Sequence, residues 1–247
     1  MRVYVGFDDT DTIDADRGTG KLARRFEDRL PEGCRLWGVV RQQLLVDARV
    51  PYTSHNSSAC VVLELEDPQG LKGIIERAAA HIGANFLDGS DPGLCVAAVG
   101  APGLAELADF GRQCTCRVVN QKAALAAAAG VHLSAHGGSG DGIIGAAAAV
   151  GLTAAGWCGR FIEFGLLREY PDMVRVKDLE AHRIAVVSVD RDAAIPGPAD
   201  MVLTNRWVRP RLMGGRPVLL VRGAGRGAWE NIGAKRKHRI EKAVARI

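Results

Sequence analysis

The sequence predicts a mixed α/β (α+β) fold. Short apolar runs of strand length alternate with longer helix-length segments through most of the 247 residues. Neither the continuous helical periodicity of a bundle nor the closely spaced short strands of an all-β chain occurs. A composition of 47% hydrophobic and 24% charged residues suits one large domain or two smaller ones.

In chain order, residues 2–7 read as a strand and residues 19–29 as the helix that follows it. Strands are expected at 36–41 and 59–66, a helix at 69–81 and a further strand at 94–99. Helices follow at 118–129, 143–155 and 160–169, the first two rich in alanine and suited to close packing on a sheet. Pro171 ends the last of them, and a boundary near residue 172 divides the chain into regions 1–172 and 173–247. The second region offers strands at 183–190 and 217–222 and a basic terminal helix, enough for a small α+β unit.

Charge is distributed unevenly. From Asn205 to Ile247 there are 12 Lys/Arg against 2 Asp/Glu, so this segment carries +10 and the preceding 204 residues carry −6. A basic end on an acidic body suits a polyanion, either RNA or the phosphates of a nucleotide; a solvated helix face around Lys235-Arg236-Lys237-His238-Arg239 is the alternative. No run of about 18 apolar residues occurs and the N-terminus enters a strand directly, so a cytoplasmic protein without signal peptide or membrane span is expected. The six cysteines form no C-x-x-C pair and read as mostly buried, reduced thiols.

Three segments carry candidate chemistry. The run Gly6-Phe7-Asp8-Asp9-Thr10-Asp11 delivers three carboxylates from the end of an apolar strand. Clustered hard oxygen ligands suit Mg²⁺, so Asp8, Asp9 and Asp11 are candidate metal and catalytic residues. Helix caps and Asx turns use the same residue types but need fewer of them. Thr19 opens the following helix, where its hydroxyl either caps the helix or faces the acids, and Lys21 and Arg24 could offset the acidic charge.

The second segment is Gly137-Gly138-Ser139-Gly140-Asp141-Gly142-Ile143-Ile144-Gly145. Glycines let backbone N–H groups approach phosphate oxygens, and the N-terminus of the following helix adds partial positive charge. Gly137, Gly138, Ser139, Gly140, Gly142, Ile143 and Gly145 are therefore candidate nucleotide contacts. It is not a Walker A loop, and its G-x-G-x-x-G match is weak because no clear strand precedes it. A flexible interdomain loop is the alternative. The third segment runs from Arg49 to Ala59 and is dense in polar groups; within it His55 could bind phosphate or act as a base, or be a solvated loop histidine.

Taken together, these segments resemble the archaeal tRNA(isoleucine) agmatinylcytidine synthetase family. Its opening G-[IF]-D-D-T-D-[ST] is matched by Gly6 to Thr12, and its N-P-G turn by Asp91-Pro92-Gly93. Its G-x-G-L-I-G-A-x-A-A-V-G segment is similar to Gly140 to Gly151, its R-x-x-x-P-x-K-T-R-G-N-G-A loop to Arg41 through Ala59, and its Tyr-Pro helix end to Tyr170-Pro171. The resemblance implies a kinase-like domain over residues 1–172 and a shortened ferredoxin-like unit over 173–247, without the family's OB fold and zinc ribbon. It further implies Mg²⁺ at the acidic motif, ATP phosphates at the glycine loop, and a phosphorylated threonine at Thr19.

The chain departs from the family where Thr53, Ser54, His55, Asn56, Ser57 and Ser58 replace Lys, Thr, Arg, Gly, Asn and Gly, and where Asp141 replaces an arginine. The expected function is Mg²⁺-dependent, ATP-binding phosphotransfer or ligation on a nucleotide, RNA or small molecule. The alternatives are a non-catalytic nucleotide- or RNA-binding protein and, from the faint D-x-D echo at Asp9 to Ile13, a haloacid dehalogenase-type phosphatase.

Overall fold

The computed structural model describes residues 1–12, 15, 18–50 and 55–233. The expected basic terminal helix lies outside these residues, as do Ile13, Thr53 and Ser54. The described chain forms two compact units, one of Met1–Phe164 with Leu212–Gly215, the other of Gly165–Arg211 with residues 216–233.

In the first unit the elements run β1 (Arg2–Asp8), α1 (Thr19–Arg25), β2 (Cys34–Gln43), β3 (Ser57–Leu65), α2 (Leu71–Gly83) and β4 (Gly93–Ala98). They continue as α3 (Leu104–Cys114), α4 (Gln121–Ala127), β5 (His132–Ala135), α5 (Gly142–Ala155) and β6 (Arg160–Glu163). The strands lie in the order β5-β4-β1-β3-β2-β6, and every adjacent pair is antiparallel.

Side-chain alternation along the strands sends apolar groups to both faces of this sheet. Val3, Val5 and Phe7 of β1 join Leu22, Phe26, Ile74 and Ile82 in a core beneath α1 and α2. Tyr4, Cys60, Val62 and Cys95 pack on the opposite face against Phe110 of α3 and the alanines of α5. The unit is thus a three-layer α/β/α arrangement.

α5 is nearly all buried, and its small residues let it lie flush on the sheet. A Cβ at Gly6 would stand 2.3 Å from the Ala146 carbonyl oxygen, so β1 and α5 touch backbone to backbone there. Gly151 of α5 makes a similar close approach to the Leu107 carbonyl of α3.

Two local expectations change. Residues 160–169 are not helical: β6 occupies Arg160–Glu163, followed by Gly165 at φ 47°. Phe161 stacks edge-on with Trp37 and Phe164, so aromatic packing on the sheet overrides helical spacing. A strand does precede the glycine loop, since β5 pairs with β4 through Gly93↔Ala135 to Val96↔His132.

The second unit contains β7 (Met173–Arg175), α6 (Val176–Ala181), β8 (Ala185–Ser188), β9 (Met201–Leu203), β11 (Arg216–Gly225) and β12 (Ala228–Asn231), while β10 (Arg211–Met213) leads into Leu212–Gly215 of the first unit. β11 pairs in parallel with β8 and antiparallel with β12, which continues through β9 to β7. Val174, Leu179, Ile184, Val202 and Val221 form its buried interior. Among the described residues no helix is long and apolar enough to cross a membrane. All six cysteines are free thiols; Cys60, Cys95 and Cys114 are buried, whereas Cys116 and Cys158 are exposed.

Candidate functional site at one rim of the sheet

Antiparallel pairing brings the end of β1, the starts of β3 and β4 and the end of β5 to one rim of the first unit's sheet. Asp8 ends β1 and pairs with Gly93, and Gly93 in turn pairs with Ala135. The glycine loop follows directly and starts α5 at Gly142. The acidic motif, the Asp91-Pro92-Gly93 turn and the glycine loop therefore meet at this rim.

Asp8 faces α5. A Cβ on Gly145 would lie 1.7 Å from Asp8 Oδ2, so the bare backbone of α5 at Gly145 leaves the space the carboxylate fills. Burial, followed by the charges of Asp9 and Asp11, pushes the Asp8 carboxyl up to about 8. Asp9 adopts φ 49°, a left-handed conformation directly after the strand. Burial, then the charges of Asp91, Asp11 and Asp141, raises its carboxyl to about 6.

Asp11 turns toward α1. The Thr19 hydroxyl donates to Asp11 Oδ1 at 3.2 Å and accepts from the Thr10 hydroxyl at 3.1 Å and the Thr10 N–H at 3.3 Å. Thr19 is only 6% exposed, and its side chain does not cap α1, whose N-cap is Gly18. Of the two readings for Thr19, the hydroxyl facing the acids is the one the geometry holds. Arg24 instead pairs with Glu163 of β6 at 3.6 Å.

The glycine loop is held by an internal carboxylate. Asp91 accepts from the Ser139 N–H at 2.7 Å and from the Ser139 hydroxyl at 2.6 Å. Gly138 at φ 55° makes room for it, since a Cβ there would fall 1.2 Å from Asp91 Oδ1. Gln121 of α4 donates to the Ser139 carbonyl at 3.0 Å and to Asp141 Oδ1 at 2.7 Å, tying the loop to a second helix. Gly142 packs against the Asp91 carbonyl, and Gly140 lies at φ 83°. Ile143 is buried behind the loop in the core beneath α5.

His55 lies exposed two residues before β3, at the same rim, where its carbonyl accepts from the Ser57 hydroxyl at 3.3 Å. Nearby Ser58 has a feature with no local sequence signal. Tyr4 of β1 and Cys60 of β3 face α5, so by alternation Asp8 and Ser58 face it too. The Ser58 hydroxyl is buried and has no hydrogen-bond partner among the described residues. On β5, Ser134 Oγ lies 2.9 Å from Nε2 of both His132 and His136, and burial lowers both imidazoles. Among the described residues no three His, Cys, Asp or Glu side chains are grouped closely enough to hold a metal ion by themselves.

No family model matches the sequence, and no curated protein does. Solved structures do match. A tRNA fluorescent labeling enzyme is similar over 61% of this chain at 25% identity and a TM-score of 0.52. Apo TiaS, an agmatidine synthetase for an isoleucine tRNA, matches over 61% at 24% identity and a TM-score of 0.50. TiaS in complex with that tRNA and ATP matches over 61% at 23% identity and a TM-score of 0.52. The match spans only 35–36% of those longer chains. The α/β fold read from the sequence is the one the chain shares with these proteins.

Proposed function

We propose that the chain is a Mg²⁺-dependent, ATP-binding phosphotransferase with ligase-like character, acting on a nucleotide, RNA or small-molecule substrate. The observation that carries this reading is the meeting of Asp8 with the notch at Gly145, which sets the acidic motif against the helix that the glycine loop begins. The likeness to a tRNA labeling enzyme supports it, and a protein of the same fold is described in complex with an isoleucine tRNA and ATP.

The residues present fit a Mg²⁺ ion held jointly with phosphate. Such an ion takes one or two carboxylates and completes its shell with phosphate oxygens and water, so a three-carboxylate cage is not required. Asp8 and Asp9 would hold it, with Asp11 on its flank. Their raised carboxyls and the orphaned Ser58 hydroxyl suit a rim built to receive a cation and its ligands. ATP supplies the phosphoryl group, and Mg²⁺ neutralises its charge.

The chain's own residues would position the rest. Gly137, Gly138, Ser139 and Gly140 would line the phosphate side, once Ser139 exchanges Asp91 for phosphate, whereas Gly142 and Gly145 are filled against the Asp91 carbonyl and the Asp8 carboxylate and shape the loop from behind. Asp11 accepts the hydrogen bond of the Thr19 hydroxyl, which places it to hold that proton if Thr19 is the acceptor. His55 would serve as a phosphate contact from the β3 side. The basic C-terminal segment would bring RNA, through contacts that weaken with salt.

A second reading, binding of nucleotide without turnover, is favoured by the burial of Thr19, which keeps its hydroxyl from an incoming phosphoryl group. Incubation with Mg²⁺ and γ-labelled ATP separates the two. Label on the protein or released phosphate, abolished in Asp9→Asn, is expected for the enzyme, and Thr19→Ala should remove protein-bound label alone. Binding without label transfer supports the second reading. No binding of ATP at millimolar concentration would overturn both.

A further inference from the structure

β5 carries a polar stripe that the phosphotransfer reading leaves unused. The strand stands at one end of the sheet order, paired with β4. Leu133 packs against the core beneath α5, so by alternation His132 and Ser134 turn to the other face. His136, whose N–H donates to the Pro92 carbonyl at 2.8 Å, continues their line beyond the strand's end. On β4 the register partners of His132 and Ser134 are Val96 and Leu94, both in the core beneath α1 and α2. Three polar side chains thus stand in a row against an apolar neighbouring strand.

These side chains converge on one another. Nε2 of His132 and Nε2 of His136 each lie 2.9 Å from Ser134 Oγ, and all three residues are only part-buried, so the cluster is open to an ion from solvent. Among the described residues no carboxylate partners either ring, and the cluster presents uncharged nitrogen and oxygen donors. Zinc bonds of about 2.0–2.1 Å in a tetrahedral shell set neighbouring ligands about 3.3–3.4 Å apart. The two Nε2–Oγ separations are close to that spacing, so small side-chain rotations bring the three donors onto one ion.

We propose that His132, Ser134 and His136 bind Zn²⁺, with both imidazole Nε2 atoms and the serine hydroxyl as ligands and water completing the shell. The site is separate from the place given to Mg²⁺: imidazole suits zinc, whereas Mg²⁺ takes oxygen ligands. It also lies on the opposite face of the sheet from Asp8 and does not depend on the phosphotransfer reading. Because His136 directly precedes Gly137, a bound ion would fasten the edge strand at the root of the glycine loop.

The test titrates Zn²⁺ into the whole chain, untagged and reduced, while imidazole ¹⁵N resonances are followed by NMR. A residue-specific signal is needed because the exposed thiols of Cys116 and Cys158 also attract zinc. The Nε2 resonances of His132 and His136 should shift together and saturate as one site, and excess Mg²⁺ should leave that shift in place. His132→Gln and His136→Gln should each weaken Zn²⁺ binding at the remaining imidazole at least about tenfold, since even outer-shell losses cost that much. Ser134→Ala should weaken it by less; unchanged affinity there would remove the hydroxyl from the ligand set. No response of the two imidazoles at millimolar Zn²⁺, separate affinities for the two rings, or displacement by Mg²⁺ overturns the site. Those three outcomes are read on wild type alone, so a variant that fails to fold does not shelter the proposal.

Discussion

Asp91 grips Ser139 twice, through the backbone N–H at 2.7 Å and the hydroxyl at 2.6 Å; under the proposed function these are the donors an incoming phosphate would use. Replacement by alanine should free both donors. We expect faster amide exchange confined to residues 137–141, a fall of only a few degrees in melting temperature, and tighter ATP binding in Asp91→Ala than in wild type. Unchanged or weaker ATP binding in a folded Asp91→Ala protein would remove the loop from the nucleotide site.

Gly145 and Asp8 are a matched pair of shapes. Gly145→Ala would drive a methyl group into Asp8 Oδ2 and should cost about 1–3 kcal/mol or more. In the Gly145→Ala/Asp8→Ala double variant the colliding atoms are gone, and much of that loss should be recovered. Denaturant melts of the four proteins measure the coupling; simple additivity would show that the two residues do not share this space.

The pH dependence follows from the acids. Both Asp8, at about 8, and Asp9, at about 6, are raised by the fold above the ordinary carboxylate value. The folded state therefore holds these protons more tightly than the unfolded chain does. Their contribution to stability is complete below about pH 4 and is lost as pH rises through about 6 and then about 8. Melting temperature should fall over that window, and Asp8→Asn should flatten the upper part of the decline. A rise in wild-type stability from pH 5 to 8 that Asp8→Asn leaves unaltered would contradict this assignment.

The Thr19 hydroxyl is buried among Thr10 and Asp11, so its removal should be felt in stability as well as chemistry. Thr19→Val, close to isosteric, should lose about 1–3 kcal/mol, because it leaves the Thr10 hydroxyl and N–H without their acceptor. Thr19→Ser should keep most of that stability. Urea melts of the two variants provide the comparison, and equal stability would place the network outside the folding core.

The legible parts of the fold are those with long, one-sided or unbroken apolar patterns. β1, β3, α2 and α5 carry such runs, and the structure places elements where the patterns put them. The four-residue strands β5 and β6 are too short for a periodic signal, and Phe161 of the second stands three residues before Phe164, a spacing like that of a helix face. At the rim, residue type and spacing picked out the acidic motif and the glycine loop. The Asp91–Ser139 grip spans 48 positions, and the burial of Ser58 depends on three neighbouring elements, so neither leaves a local trace.

The contact between Gly6 and Ala146 has a mechanical meaning. With no side chain to act as a cushion, β1 and α5 cannot slide or roll past each other without a carbonyl striking a main chain. The same contact fixes where the helix meets the strand, so the glycine loop that begins α5 and the Asp8 that ends β1 are held at a set spacing.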